Sequence, residues 1–230
     1  MCAQGSDFRL GVRWVALVAL AGTLLACDSR TRSDGGPAGS TPSGPRSGGE
    51  IFASCLLCHS TREMQRGPIL AGLPAWYSEL QLRKFAQGVR GRDPENKSEA
   101  LMGAGQAIVH DPDERRSVAE HIAALPPPQH LLTVRGNPAR GRELYQSCVA
   151  CHGARGEGRE DLKSPPLTML EDWFQLDQLR KFKSGLRGRD ERDIEGQLMR
   201  AAVLSLSDQD FRDVTRHVAA ELAPNVRANP

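Results

Sequence analysis

The chain contains itself twice, so any fold it adopts is built from two copies of one unit. Gly48-x-Glu50-Ile51-Phe52-x-Ser54-Cys55 is matched by Gly141-x-Glu143-Leu144-Tyr145-x-Ser147-Cys148. Leu82-Arg83-Lys84-Phe85-x-x-Gly88-Val89-Arg90-Gly91-Arg92-Asp93 returns as Leu179-Arg180-Lys181-Phe182-x-x-Gly185-Leu186-Arg187-Gly188-Arg189-Asp190. Leu101-Met102 corresponds to Leu198-Met199, and His121-Ile122-Ala123-Ala124 to His217-Val218-Ala219-Ala220. The order is the same in both copies. The reading is two tandem domains, 48–128 and 129–230, divided near Pro126-Pro127-Pro128, where a helix cannot continue.

Each copy reads as short helices and loops. In the second, Glu143 to Cys151 predicts a first helix, with Leu144 and Cys148 on one face. Trp173, Leu176, Leu179 and Phe182 mark a middle helix that stops near Gly185. Ser207-Asp208-Gln209-Asp210 supplies an N-cap and an acidic first turn, and Phe211, Val214, Val218 and Leu222 draw the apolar stripe of a final helix. In the first copy Asp111-Pro112-Asp113-Glu114 starts the equivalent helix, with Val118, Ile122 and Leu125 following. No segment alternates with period two for long, so the class is all-α. Domains of about 90 residues bury little apolar surface alone, and something else must fill the middle.

The repeated motif names that something. Cys55-Leu56-Leu57-Cys58-His59 and Cys148-Val149-Ala150-Cys151-His152 each place two thiols three apart and an imidazole one residue further. On one helical turn these share a face. Two thiols so spaced can bond the two vinyl groups on one edge of a porphyrin while the imidazole points at its iron. Two haem c groups are therefore expected, bonded at Cys55/Cys58 and Cys148/Cys151, with His59 and His152 as axial ligands. A redox disulfide is the competing use of such a pair, but it usually follows a strand. A structural zinc site needs four ligands per domain. Those readings stay open, with His110, His121 and His217 as the remaining imidazoles.

The N-terminus predicts a chain exported from the cytoplasm. Arg9 and Arg13 precede an uncharged apolar run of 13 residues, Trp14 to Ala26, short for a span of about 20 residues and suited to a signal-peptide core. It ends at Leu24-Leu25-Ala26-Cys27, which resembles a bacterial lipoprotein cleavage box. Residues 1–26 are thus read as a leader and Cys27 as the lipidation site, with an uncleaved anchor as the alternative. The segment 27–47, rich in Ser, Gly and Pro, is read as a disordered tether. Without the leader the chain carries 28 basic and 27 acidic residues, a balance that argues for no nucleic-acid partner. Every cysteine has an assignment, and none is left for a disulfide.

A low-spin electron carrier also needs a sixth ligand. Met64 and Met169 have no counterpart in the other copy. Met102 and Met199 correspond, 43 and 47 residues beyond His59 and His152, and are read as the distal axial ligands; a thioether favours the ferrous state. His121 and His217, also matched, are the competing pair.

With the two Cys-x-x-Cys-His motifs, Pro68 and Pro165 after them, the Leu-x-x-Phe-x-x-Gly-x-Arg segments, and Met199 ahead of Leu206-Ser207-Asp208-Gln209-Asp210, both copies resemble class I cytochrome c domains. The tandem resembles the periplasmic di-haem cytochromes c4, over nearly everything from Gly48 to Leu222. The resemblance implies that Pro68 and Pro165 support the proximal histidines. It departs at His121 and His217, where the family usually carries an aromatic packed on the first helix. Arg90 and Arg187 are candidates for pairing with haem propionates, or for steering a partner.

The expected function is electron transfer by a periplasmic, membrane-anchored carrier, with no substrate chemistry of its own. It would run from a respiratory donor such as a quinol–cytochrome c reductase to a terminal oxidase or other periplasmic reductase. An electron-accepting subunit of a dehydrogenase complex is the alternative, and a di-haem peroxidase or reductase a further one, requiring an open iron face.

Overall fold

A computed structural model of the chain describes residues 44–60, 65–224 and 226–227. The leader, Cys27, most of the tether and Met64 lie outside these. Residues 42–230 cluster as one compact unit. Among the described residues the architecture is all-α apart from a parallel pairing of two-residue strands, β1 (His130–Leu131) and β2 (Val226–Arg227), and an isolated antiparallel bridge between Arg159 and Ser164.

The first copy supplies α1 (Gly48–His59), α2 (Ala75–Ala86), α3 (Lys97–Gly105) and α4 (Pro112–Ala124). The second supplies α5 (Pro138–Tyr145), α6 (Val149–His152), α7 (Asp172–Ser184), α8 (Ile194–Val203) and α9 (Asp208–His217). The starts follow from capping chemistry. Ser47 and Glu50 form a reciprocal capping box on α1, and Ser207 and Asp210 form one on α9, each satisfying two otherwise orphaned N–H groups. Asp111 caps α4 with Pro112 at its first position. Gly185 closes α7 in the left-handed region, φ 76°, a conformation that costs glycine little.

Two expected helices come out differently. The stretch Glu143–Cys151 is broken: α5 ends at Tyr145, and α6 begins after Cys148. Between them the backbone tightens to three-residue bonds, Ser147 N to Leu144 O and Cys148 N to Tyr145 O. The Ser147 hydroxyl also donates to Leu144 O at 2.9 Å, offering that carbonyl an alternative to the helical ladder. The final helix reaches Leu222, but its last turn, Val218–Leu222, widens into a π-helix.

Each copy is held by its first and last helices crossing. Glycine decides how close they come. A Cβ on Gly48 would run into the Ser117 carbonyl, and one on Gly141 into that of Asp213. At the same crossings His121 lies against Phe52, rings 5.4 Å apart, and His217 against Tyr145, 5.6 Å apart. The departures His121 and His217 thus occupy the helix-contact position, as aromatics do.

The cores of the two copies are not separate. One cluster joins Ile51, Phe52, Leu73, Tyr77, Val118 and Ile122 to Leu170, with Met169 and Phe174 packed against it. Residues from the second copy therefore complete the core of the first. Charged groups lock the same junction: Lys84 Nζ meets Asp193 at 2.5 Å and Glu195 at 2.9 Å. The matched Lys181 donates to Ser98 Oγ at 2.7 Å.

Candidate functional site

Both thiols and the imidazole of the first motif lie on α1, whose last turn carries Cys55, Cys58 and His59. They open onto a crevice of about 220 Å³. Met102, on α3, also lines it. The sides are apolar: Leu70, Leu82, Phe85, Val109 and Ile122. Trp173 and Phe174, from α7 of the second copy, close it. His121 is not among the lining residues.

The imidazoles are set for ligation by what they touch. His59 Nδ1 lies 2.6 Å from the Pro68 carbonyl, and His152 Nδ1 lies 3.1 Å from that of Pro165. A carbonyl only accepts, so Nδ1 carries the proton and the Nε2 lone pair is free. Burial lowers the pKa of both rings, against the opposing pull of these carbonyls. They are neutral near pH 7, the form that binds iron. Gly67 packs so closely on the His59 ring that a Cβ there would collide with it.

In the second copy, Cys148 packs against Tyr145, Val214 and Val218. Met199 packs against Leu176, Phe182 and Phe211. Leu179 belongs to both clusters. His152 is buried, and Cys151 is exposed. His217 is committed elsewhere: its Nδ1 meets Glu221 Oε2 at 2.6 Å. Burial raises the pKa of Cys55 and Cys148.

The basic segments divide. Arg83 and Arg92 are exposed, whereas Lys84, Arg90 and Lys181 are buried. Arg90 stacks on Phe85 at 4.5 Å and Arg187 on Phe182 at 4.6 Å. Arg90 is bidentate on Glu99, at 2.6 and 3.2 Å. Arg187 has no such carboxylate, because the residue matching Glu99 is Gly196. It donates to Gln178 at 2.6 Å and Gln81 at 3.2 Å, and its Nε is buried without a partner. Burial, and next the neighbouring Arg90, lower its pKa.

These residues fit haem c. Packed interiors rarely leave apolar crevices of this size, and here two thiols, an imidazole nitrogen and a thioether face one. The guanidinium of Arg187, short of an anion, suits a propionate. Zinc is less well served: among the described residues no three His, Cys, Asp or Glu side chains converge to hold a metal ion. All four motif cysteines are unbridged.

The Cytochrome c family model matches residues 138–220. The chain is 30% identical over 181 residues to a thiosulfate dehydrogenase electron acceptor of Stutzerimonas stutzeri (strain A1501), covering 72% of this chain and 78% of the relative. It is 28% identical over 196 residues to one of Thiomonas intermedia (strain K12), covering 77% and 83%. Among solved structures it resembles Acidithiobacillus ferrooxidans cytochrome c4, with TM-score 0.59, 20% identity, and 73% and 98% coverage. It also resembles the thiosulfate dehydrogenase TsdBA of Marichromatium purpuratum, with TM-score 0.57, 24% identity, and 72% and 36% coverage.

The sequence reading passes over Glu99, Glu171 and Phe174, and takes Trp173 only as a marker of the middle helix. Glu171 had a signal: in the aligned copies it stands where the first has Pro74, both at an N-cap.

Proposed function

Because this chain belongs to the class I cytochrome c family, whose members transfer electrons, we propose that it carries two haem c groups and accepts electrons from a dehydrogenase. The observation that supports this most is the motif with a carbonyl-bound histidine in both copies, in a chain related along most of its length to thiosulfate dehydrogenase electron acceptors. Bound haem c supplies a reversible one-electron ferric–ferrous couple. The chain's residues do the rest. Cys55, Cys58, Cys148 and Cys151 would form the thioether bonds, and His59 and His152 would ligate the iron. Met102 and Met199 would supply the second protein ligand to each iron, which favours a carrier over a catalyst. Leu70, Leu82, Phe85 and Ile122 keep water from the first crevice. Arg187, which has no carboxylate partner, would pair with a propionate, whereas Arg90 is held by Glu99.

The favoured donor is a thiosulfate-oxidising dehydrogenase, because the relatives carry that name. The onward acceptor is a terminal oxidase or another reductase of the same compartment. Cys27 anchors the chain to the periplasmic side of a membrane by lipid. The test uses the matured holoprotein. Mass spectrometry should find two added porphyrins, and thiosulfate with a thiosulfate dehydrogenase should reduce both haems. Reduction by a quinol–cytochrome c reductase but not by the dehydrogenase would return the protein to the general shuttle role. Cys27→Ser should release it from membranes.

A further inference from the structure

The two histidines lean on carbonyls whose peptide units are not alike. Pro68 O accepts from His59, and the nitrogen of that same peptide unit belongs to Ile69. Ile69 N–H donates to Glu171 Oε2 at 2.9 Å. The Glu171 oxygen also receives Gln65 Nε2 at 2.5 Å. Glu171 is buried, 7% exposed. It occupies the N-cap position of α7 but makes no side-chain bond to that helix. A carboxylate of the second copy is thus wired, through one peptide unit of the first, to the first imidazole. In the second copy the residue after Pro165 is Pro166, which has no N–H. The same wire cannot be made there.

We propose that Glu171 is a positioning residue that sets the reduction potential of the first haem below that of the second. The inference rests on the reading that His59 and His152 are axial ligands of bonded haems. An anion on an amide N–H draws electron density onto the carbonyl oxygen of the same unit, and linked hydrogen bonds strengthen one another. The Pro68 carbonyl becomes the better acceptor, and the shorter contact at His59, 2.6 against 3.1 Å at His152, has the sense this requires. An imidazole whose Nδ1 proton is pulled harder is a more basic ligand and favours ferric iron. The carboxylate also acts on His59 through space, in the same direction.

The experiment is a spectroelectrochemical titration of the two-haem protein and its Glu171→Gln variant, with the waves assigned through Met102→Ala. Glutamine keeps an oxygen for Ile69 N–H and removes the charge, so a purely structural role for Glu171 would leave the potentials in place. We expect the lower wave, belonging to the first haem, to rise by about a tenfold change in the oxidised-to-reduced ratio, ~59 mV for one electron, with the upper wave still. A shift in the upper wave alone, or in neither, overturns the proposal. A second measurement needs no variant: by NMR of the reduced wild-type protein, the His59 Nδ1 proton should lie downfield of that of His152, and the reverse order overturns it too. Wild-type protein without two porphyrins, or with other axial ligands, would instead refute the haem reading itself.

Discussion

Glu99→Gln should cost this protein about 3 kcal/mol at neutral pH and nothing near pH 2. Glu99 is 4% exposed and bidentate on Arg90. Burial by itself would push its carboxyl up. Arg90, with Arg187 and Lys181 further off, overrides burial and holds it at about 2, against an ordinary 4.5. That gap, at 1.36 kcal/mol per pH unit, gives the ~3 kcal/mol. A carboxyl whose folded pKa is depressed contributes stability that is complete above its unfolded value. That stability is lost as pH falls from about 4.5 through about 2. The assay is urea unfolding of wild-type and Gln holoproteins, followed by far-ultraviolet circular dichroism at steps from pH 7 to pH 2. The difference between the two should be full at pH 7, shrink below pH 4.5 and close near pH 2. Equal stabilities at pH 7, or a gap that persists undiminished at the acid end, would refute the assignment of Glu99 as the ionised partner of Arg90.

Three further outcomes follow from the packing. Gly141→Ala drives a methyl into the Asp213 carbonyl and should destabilise by about 1–3 kcal/mol, read as a lowered Tm. Gly105→Ala, with nothing within 4 Å, is the control and should hold its Tm. Lys84→Met strands Asp193, 1% exposed, without its cation and should cost roughly 3–5 kcal/mol in urea unfolding; adding Asp193→Asn should recover part of this, and no recovery would deny the pairing. Met102→Ala should keep both haems bonded and remove half of the far-red ferric band in the visible spectrum, and an unchanged band would exclude Met102 as a ligand.

Local chemistry was the legible part of the sequence. Asp111 and Ser207 announce their helices because capping is a short-range event, and Gly185 ends α7 for the same reason. The motif residues and Met102 could be placed together before any coordinates, since the repeat fixes which methionine corresponds to which. Much of what failed to show was set by residues outside the segment being read. Arg83, Lys84, Arg90 and Arg92 stand close together in the sequence, yet Lys84 and Arg90 are buried because Asp193 and Glu99 receive them. Nothing within residues 82–93 reveals that. The break between α5 and α6 escaped because Leu144 and Cys148 keep helical spacing across it. The Glu171 wire was visible only as a place where the repeat stops repeating.

Leu170, Trp173 and Phe174 grow from one copy and wall the crevice of the other. A gene duplication ordinarily leaves two parts that could each survive alone. In this molecule the earlier copy has surrendered one side of its own chamber, so in a chain cut after Pro128 the crevice that Cys55, Cys58, His59 and Met102 line would lie open on that side.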